Sequence, residues 1–151
     1  MKKYLTLKNC VKALAFVFGL VAALMVFANQ VHYGSFYYGA ADTFFGNSAT
    51  KGAVLPFIGY LLIALATIAF CVFVFVKLDE KLDKIITFAL AGALLVGAIF
   101  VFLAAATFNS INGIDGLASL AGGPVVAGIF AILAALAVCG SEFVPNKALL
   151  K

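Results

Sequence analysis

Tryptophan and arginine are absent from this 151-residue chain, histidine occurs once, and only 11% of residues are charged against 66% hydrophobic. A soluble domain is about 45–50% apolar and roughly a quarter charged, so this composition excludes an ordinary water-soluble fold. With all ten basic residues lysine and Trp missing, the usage fits codon bias toward an AT-rich, bacterial genome. The scarcity of charge is also uneven. Four stretches carry no charged residue: Ala13 to Ala28, Ala53 to Val76, Ile85 to Phe108 and Leu117 to Gly140. A charge at the bilayer centre costs several kcal/mol, and about 20 apolar residues cross the hydrocarbon core, so each run reads as a membrane span.

Further absences narrow the function. None of the four runs holds an ionisable residue of the kind that couples transport to protons or ions. The lone His32 lies outside them, so neither haem ligation between helices nor a metal centre is supported, and no cofactor is expected. There is no CxxC, no phosphate-binding GxxxxGK[ST] loop and no GxSxG nucleophile motif. Four spans and their connections use nearly the whole chain as one domain, leaving no room for a soluble catalytic unit. The expected class is therefore a non-enzymatic, all-α integral membrane protein of the plasma membrane, with four antiparallel transmembrane helices over residues 13–28, 53–76, 85–108 and 117–140.

Lysine positions set the expected orientation. Lys2, Lys3, Lys8 and Lys12 precede the first span, Lys77, Lys81 and Lys84 separate the second and third, and Lys147 and Lys151 follow the fourth, leaving Lys51 alone on the other side. Lys and Arg excess in short loops marks the cytoplasmic face, which places both termini inside. A basic rim against an anionic leaflet is what such a protein needs, so nucleic acid is not an expected partner. The first span has a second reading. Met1 to Lys12 could be the positive region of a signal peptide, with Val26-Phe27-Ala28 as its cleavage site, which would leave three spans.

The connections differ in length. The inner link at 77–84 is short, with alternating charge, and forces a helical hairpin; the second outer loop at 109–116 is equally short and contains the turn signal Asn112-Gly113. The first outer loop, 29–52, is long and aromatic, with His32, Tyr33, Phe36, Tyr37, Tyr38, Phe44 and Phe45 among glycines. Aromatic rings favour the membrane interface, so one reading is a belt on the outer end of the helices. The other is a small extended or hairpin structure projecting to meet a partner.

Small residues recur at helical spacing: Ser119, Gly123, Ala127, Ala131, Ala135 and Cys139 in the fourth run, Ala89, Ala93 and Gly97 in the third, Ala15, Gly19 and Ala23 in the first. Membrane helices associate by close approach along such ridges, which should face one another or a second copy. On the second run Tyr60, Ala64, Thr67 and Cys71 share the expected inward face. Cys71, Cys139 and Cys10 belong to the reducing side, where a disulfide is disfavoured and cysteine packs as a small hydrophobe. A shift of 68 residues aligns Pro56 with Pro124 and Cys71 with Cys139, suggesting two helical hairpins in the same orientation.

Four spans, inside termini, a long aromatic first outer loop and a short second one together resemble the claudin- and MARVEL-type tetraspans. The resemblance is one of topology across the whole chain. The Trp and cysteine signature of the claudin first loop is missing, so no functional residue transfers. The expected partners are the lipid bilayer and either a second copy or another membrane protein. A small transport component, such as a channel, an exporter of apolar compounds or an accessory subunit, is the alternative.

Overall fold

The computed structural model describes residues 7–76 and 79–144. Lys2, Lys3, Lys77, Lys147 and Lys151 of the expected basic rim therefore lie outside the described residues. Four helices are long and apolar enough to cross a membrane: α1 (Leu7–Leu24), α3 (Val54–Phe75), α4 (Glu80–Phe102) and α6 (Gly122–Phe143). Two shorter helices, α2 (Ala40–Phe45) and α5 (Ala104–Asn112), and three strands, β1 (Val31–Tyr33), β2 (Phe36–Tyr38) and β3 (Ala118–Leu120), make up the rest.

The spans differ in detail from the charge-free runs. At one end α1, α4 and α6 run past the uncharged stretch and take Lys8, Lys12, Asp83 and Glu142 onto helical backbone. The third run breaks at Leu103 into α4 and α5, so Asn109 and Asn112 belong to a helix, and Gly113 ends it in the left-handed conformation at φ 64°. The fourth helix starts at Gly122 and not at Leu117, because residues 118–120 pair as a strand. Ser119 thus sits in β3, not on the helical ridge. An all-α fold is also corrected: the strands form a three-stranded antiparallel sheet of order β2-β1-β3.

Each long helix packs chiefly on two neighbours: α1 on α6 and α3, α4 on α3 and α6. Small residues permit the approach. Ala15, Gly19, Gly123, Ala127, Ala131 and Ala135 are all buried. A Cβ on Gly97 would stand 2.7 Å from Ile63 Cγ1 and 2.9 Å from the Gly59 carbonyl, so α3 and α4 cross with glycine on both sides. A Cβ on Gly19 would meet the Thr67 hydroxyl, and one on Gly128 the Phe102 ring. The expected α4 ridge is only partly right: Gly97 is buried, Ala93 half-buried and Ala89 exposed. The buried face instead runs through Thr87, Ala91, Leu94, Ala98 and Val101, with Val101 set against Gly59, whose Cβ would lie 3.0 Å from Val101 Cγ2. Ala23 on α1 is likewise half-buried.

The bounds of α3 and α6 coincide under the 68-residue shift, and each helix has 22 residues and a fully buried proline at its third position. There a missing N–H leaves no hydrogen bond unmade.

Replacing Gly97 by Leu should destabilise the helices by about 1–3 kcal/mol or more through overpacking. Gly92→Leu, whose Cβ meets nothing within 4 Å, should be close to neutral. Unfolding midpoints in a mixed-detergent titration check the contrast.

Candidate functional site

At the end of the molecule where α1 stops and α6 begins, the connection from α1 to α3 and the connection from α4 to α6 fold into one cap. Both start from a backbone problem: a helix end leaves carbonyls without partners, and buried orphans are costly. After α1 the chain tightens into a 3-10 turn, Met25–Phe27. The Gln30 side chain, fully buried, donates from Nε2 toward the carbonyls of Met25 (3.1 Å), Val26 (3.1 Å) and Ala28 (2.7 Å). Its backbone N–H donates to the Tyr38 carbonyl at 2.8 Å, and its carbonyl accepts from Ala121 N–H at 3.1 Å. Gly123 admits this amide, since its Cβ would lie 3.0 Å from Nε2. One residue therefore ties the end of α1, strand β2 and the start of α6.

The hairpin turns at Gly34-Ser35, with Gly34 at φ 60°, and pairs Val31 with Tyr38 and Tyr33 with Phe36. β3 adds to the other edge of β1, Val31 opposite Leu120 and Tyr33 opposite Ala118. Alternation along the strands divides the residues by face. Val31, Tyr33, Tyr38, Ala118 and Leu120 pack with Phe108, Ala104 and Ala53 as a second core, and the Tyr38 and Phe108 ring centroids are 5.3 Å apart. His32, Tyr37 and Ser119 share the opposite face, the His32 and Tyr37 rings stacked at 4.5 Å.

Two asparagines on α5 hold the loops in place. Asn109 Nδ2 donates to the Ala118 carbonyl at 2.8 Å while its Oδ1 accepts from Ala118 N–H at 2.9 Å. Asn112 repeats the arrangement on Lys51, with Oδ1 accepting from its N–H at 2.7 Å and Nδ2 donating to its carbonyl at 3.1 Å. Each side-chain amide imitates a paired peptide group. Asn47 closes the remaining turn, Oδ1 accepting from the N–H groups of Ala49 and Thr50.

The aromatic residues singled out in the first loop divide between core and surface. Phe44 is buried, with its ring 5.8 Å from Phe57 and 5.9 Å from Tyr60. Tyr33 and Tyr38 are half-buried. Phe36 (69%), Tyr37 (62%) and Phe45 (68%) are exposed, as is Phe27 just after α1 (86%). Sequence reasoning missed Gln30 and Asn109, whose only visible signal was polarity flanking an apolar run, and read Asn112 as a turn residue without its clamp on Lys51. Among the described residues, Gln30 Oε1 and the Tyr60 hydroxyl are buried without a hydrogen-bond partner, although the two side chains adjoin.

The opposite end carries a charge cluster. Lys8 Nζ lies 3.1 Å and 3.2 Å from the two carboxylate oxygens of Glu142, and 3.7 Å from Asp83; Lys12 lies 3.6 Å from the other Asp83 oxygen. These pairs join the first turns of α1 and α4 to the last turn of α6. A small cavity beside them is lined by Lys12, Asp83, Phe70, Phe73, Thr87 and Leu90. Cys10 is exposed, Cys71 and Cys139 are half-buried, and all three are free thiols. Among the described residues no group of three His, Cys, Asp or Glu side chains is placed to hold a metal ion.

No protein-family model matches the chain, and neither a curated protein nor a solved structure matches it. No specific family is thereby supported; what stands is four apolar helices of spanning length, which suggest a multi-pass membrane protein.

Gln30→Leu, which orphans carbonyls of the turn after α1, should lower stability by about 2 kcal/mol or more, whereas Tyr60→Phe should cost less than a third as much. Asn109→Ala should raise amide exchange at Ala118 and leave Lys51 protected, and Asn112→Ala should do the reverse. Hydrogen exchange in detergent micelles separates the two.

Proposed function

We propose that the protein is a non-enzymatic, multi-pass protein of the plasma membrane, its lysine-rich helix ends and both termini cytoplasmic and its folded cap outside, acting through contact with another membrane protein or a second copy. The observation that carries this reading is the cap. Two loops are locked together by a sheet, by Gln30 and by paired asparagine amides, yet they leave Phe36 and Tyr37 in solvent at a rigid hairpin. Immobilising aromatic rings in advance lowers the entropic cost of association, and aromatic side chains dominate interface energetics.

The helix interior supports the same reading. The small-residue faces of α1 and α6 are occupied by packing inside the protein, so they serve the fold before any assembly. Interior polar groups largely satisfy themselves: Thr67 donates to the Ile63 carbonyl at 2.7 Å and Ser141 to the Val138 carbonyl at 2.7 Å. Such an interior favours a packed scaffold. The transport reading draws on one observation, the cavity between Lys12, Asp83 and Thr87, which would be the inner vestibule of a solute path.

Both parts are testable in cells. Ser35→Cys, at the hairpin turn, should react with a membrane-impermeant maleimide added from outside, and reaction only after lysis would reverse the orientation. A photo-crosslinking residue at Phe36 or Tyr37 should capture one discrete protein species or a dimer of the chain, while the same residue at Ser48 should not. Absence of any adduct together with solute flux through purified protein in liposomes would favour transport.

A further inference from the structure

Three exposed apolar side chains, Phe27, Phe45 and Leu103, lie near the same end of the long helices. Nineteen positions separate Lys8 from Phe27 along α1 and its 3-10 turn, Lys84 from Leu103 along α4, and Phe57 from Val76 along α3. At 1.5 Å per residue each interval is about 28–30 Å, the thickness of a bilayer's hydrocarbon core. Phe45 takes the same level as Phe57, since their rings lie 5.3 Å apart. On α6 the interval from Glu142 ends at Gly123, where the helix meets the cap. Phe27 is 86%, Phe45 68% and Leu103 39% exposed, so none of them is held in the protein core. They continue the lipid-facing surface of the spans, such as Leu65 and Ile68, which are exposed at 62% and 60%.

We infer that Phe27, Phe45 and Leu103 form a collar seated in the interfacial zone of the outer leaflet, its occupant the lipid glycerol and upper acyl chain, while the hairpin tip stands clear of the hydrocarbon. The tip's height follows from α5. Asn109 lies six positions beyond Leu103 and grips Ala118, which sits opposite Tyr33 and therefore next to the Tyr33–Phe36 pair. Phe36 is thereby tied to α5 past the break that ends α4, at a point about 9 Å further along the helical chain than Leu103. The break at Leu103, with ψ near 4°, marks where the third span leaves hydrocarbon. The collar also fixes the cap's height, so that Phe36 and Tyr37 are presented at a set distance from the membrane. This inference rests on the membrane-spanning reading above and adds depth to it.

The chain's lack of tryptophan makes a direct test available. Single variants Phe27→Trp, Phe45→Trp, Phe36→Trp and Leu65→Trp, each in the full chain in liposomes, are read by tryptophan emission against lipids brominated near the glycerol end or near the methyl end, and against iodide in water. Phe27→Trp and Phe45→Trp should lose emission with bromine near the glycerol and resist iodide; Phe36→Trp should show the opposite. Leu65→Trp, mid-span, should be quenched most by the deep bromine. If Leu65→Trp behaves so but Phe27→Trp and Phe45→Trp respond to iodide alone, the collar is overturned and the spanning reading stands. Equal lipid quenching at Phe36 and Phe27 would overturn the raised tip. Iodide quenching of Leu65→Trp would overturn the spanning reading itself. Both collar positions are solvent- or lipid-exposed, so the Phe to Trp change leaves the core intact, and each serves as a check on the other.

Discussion

The fold depends on satisfying backbone polar groups where apolar helices end. Inside each long helix every carbonyl and N–H has its partner in the next turn, and at the ends that supply stops. A single buried side chain, Gln30, meets the need where α1 ends by donating toward the carbonyls of Met25, Val26 and Ala28 in the turn that follows it. Its own peptide group then joins β2 to the residue before α6. Everything above the spans follows from this junction. β1 begins at the next residue, β2 and β3 flank it, and α5 supplies two asparagine amides that act as extra peptide units, one on Ala118 of β3 and one on Lys51.

Below that junction different forces operate. Lipid offers no hydrophobic gain for bringing helices together, so close packing has to do so. Glycine at the α3–α4 crossing and alanine along α6 allow backbones to approach, while Phe102 fills the space left by Gly128. At the far end the helices are joined by charge. Lys8 and Lys12 on α1 meet Asp83 on α4 and Glu142 on α6, a cluster whose formal charges cancel. Glu142 is nearly buried there, with its side chain 5% exposed, which makes its pairing with Lys8 a condition of the helix ends meeting as they do.

The division of labour suits a protein that presents a surface. Spans with a closed interior hold position, and a cap stiffened by amide clamps keeps its aromatic hairpin in one conformation. The aromatic residues of the 29–52 loop take two kinds of place. Phe44, Tyr33 and Tyr38 lie against the protein and serve the cap's own core, whereas Phe36 and Tyr37 stay in solvent on a hairpin.

By itself the sequence determined the four apolar helices, since about 20 uncharged residues have few other stable forms, and it marked the first outer loop as unusual by its rings and glycines. It also showed the inward faces of α1 and α6, where small residues repeat every fourth position over several turns. It misplaced the α4 face, because Ala89 and Ala93 share that spacing while the buried line runs through Ala91, Leu94 and Ala98, a choice made by the helices on either side. Helix ends shifted for a similar reason: the charges of Lys8, Asp83 and Glu142 marked boundaries in sequence, yet once paired with one another they lie on helical backbone. The sheet was hidden most completely. Ala118-Ser119-Leu120 has no strand signature, and it becomes β3 only because β1, 85 or more residues earlier, presents an open edge beside it. Gln30 and Asn109 were plain polar residues in the sequence, and Asn112 only half of a turn signal. Tertiary structure alone made them the cap's fasteners, since an amide gains its worth from whichever orphaned peptide group the fold brings within 3 Å.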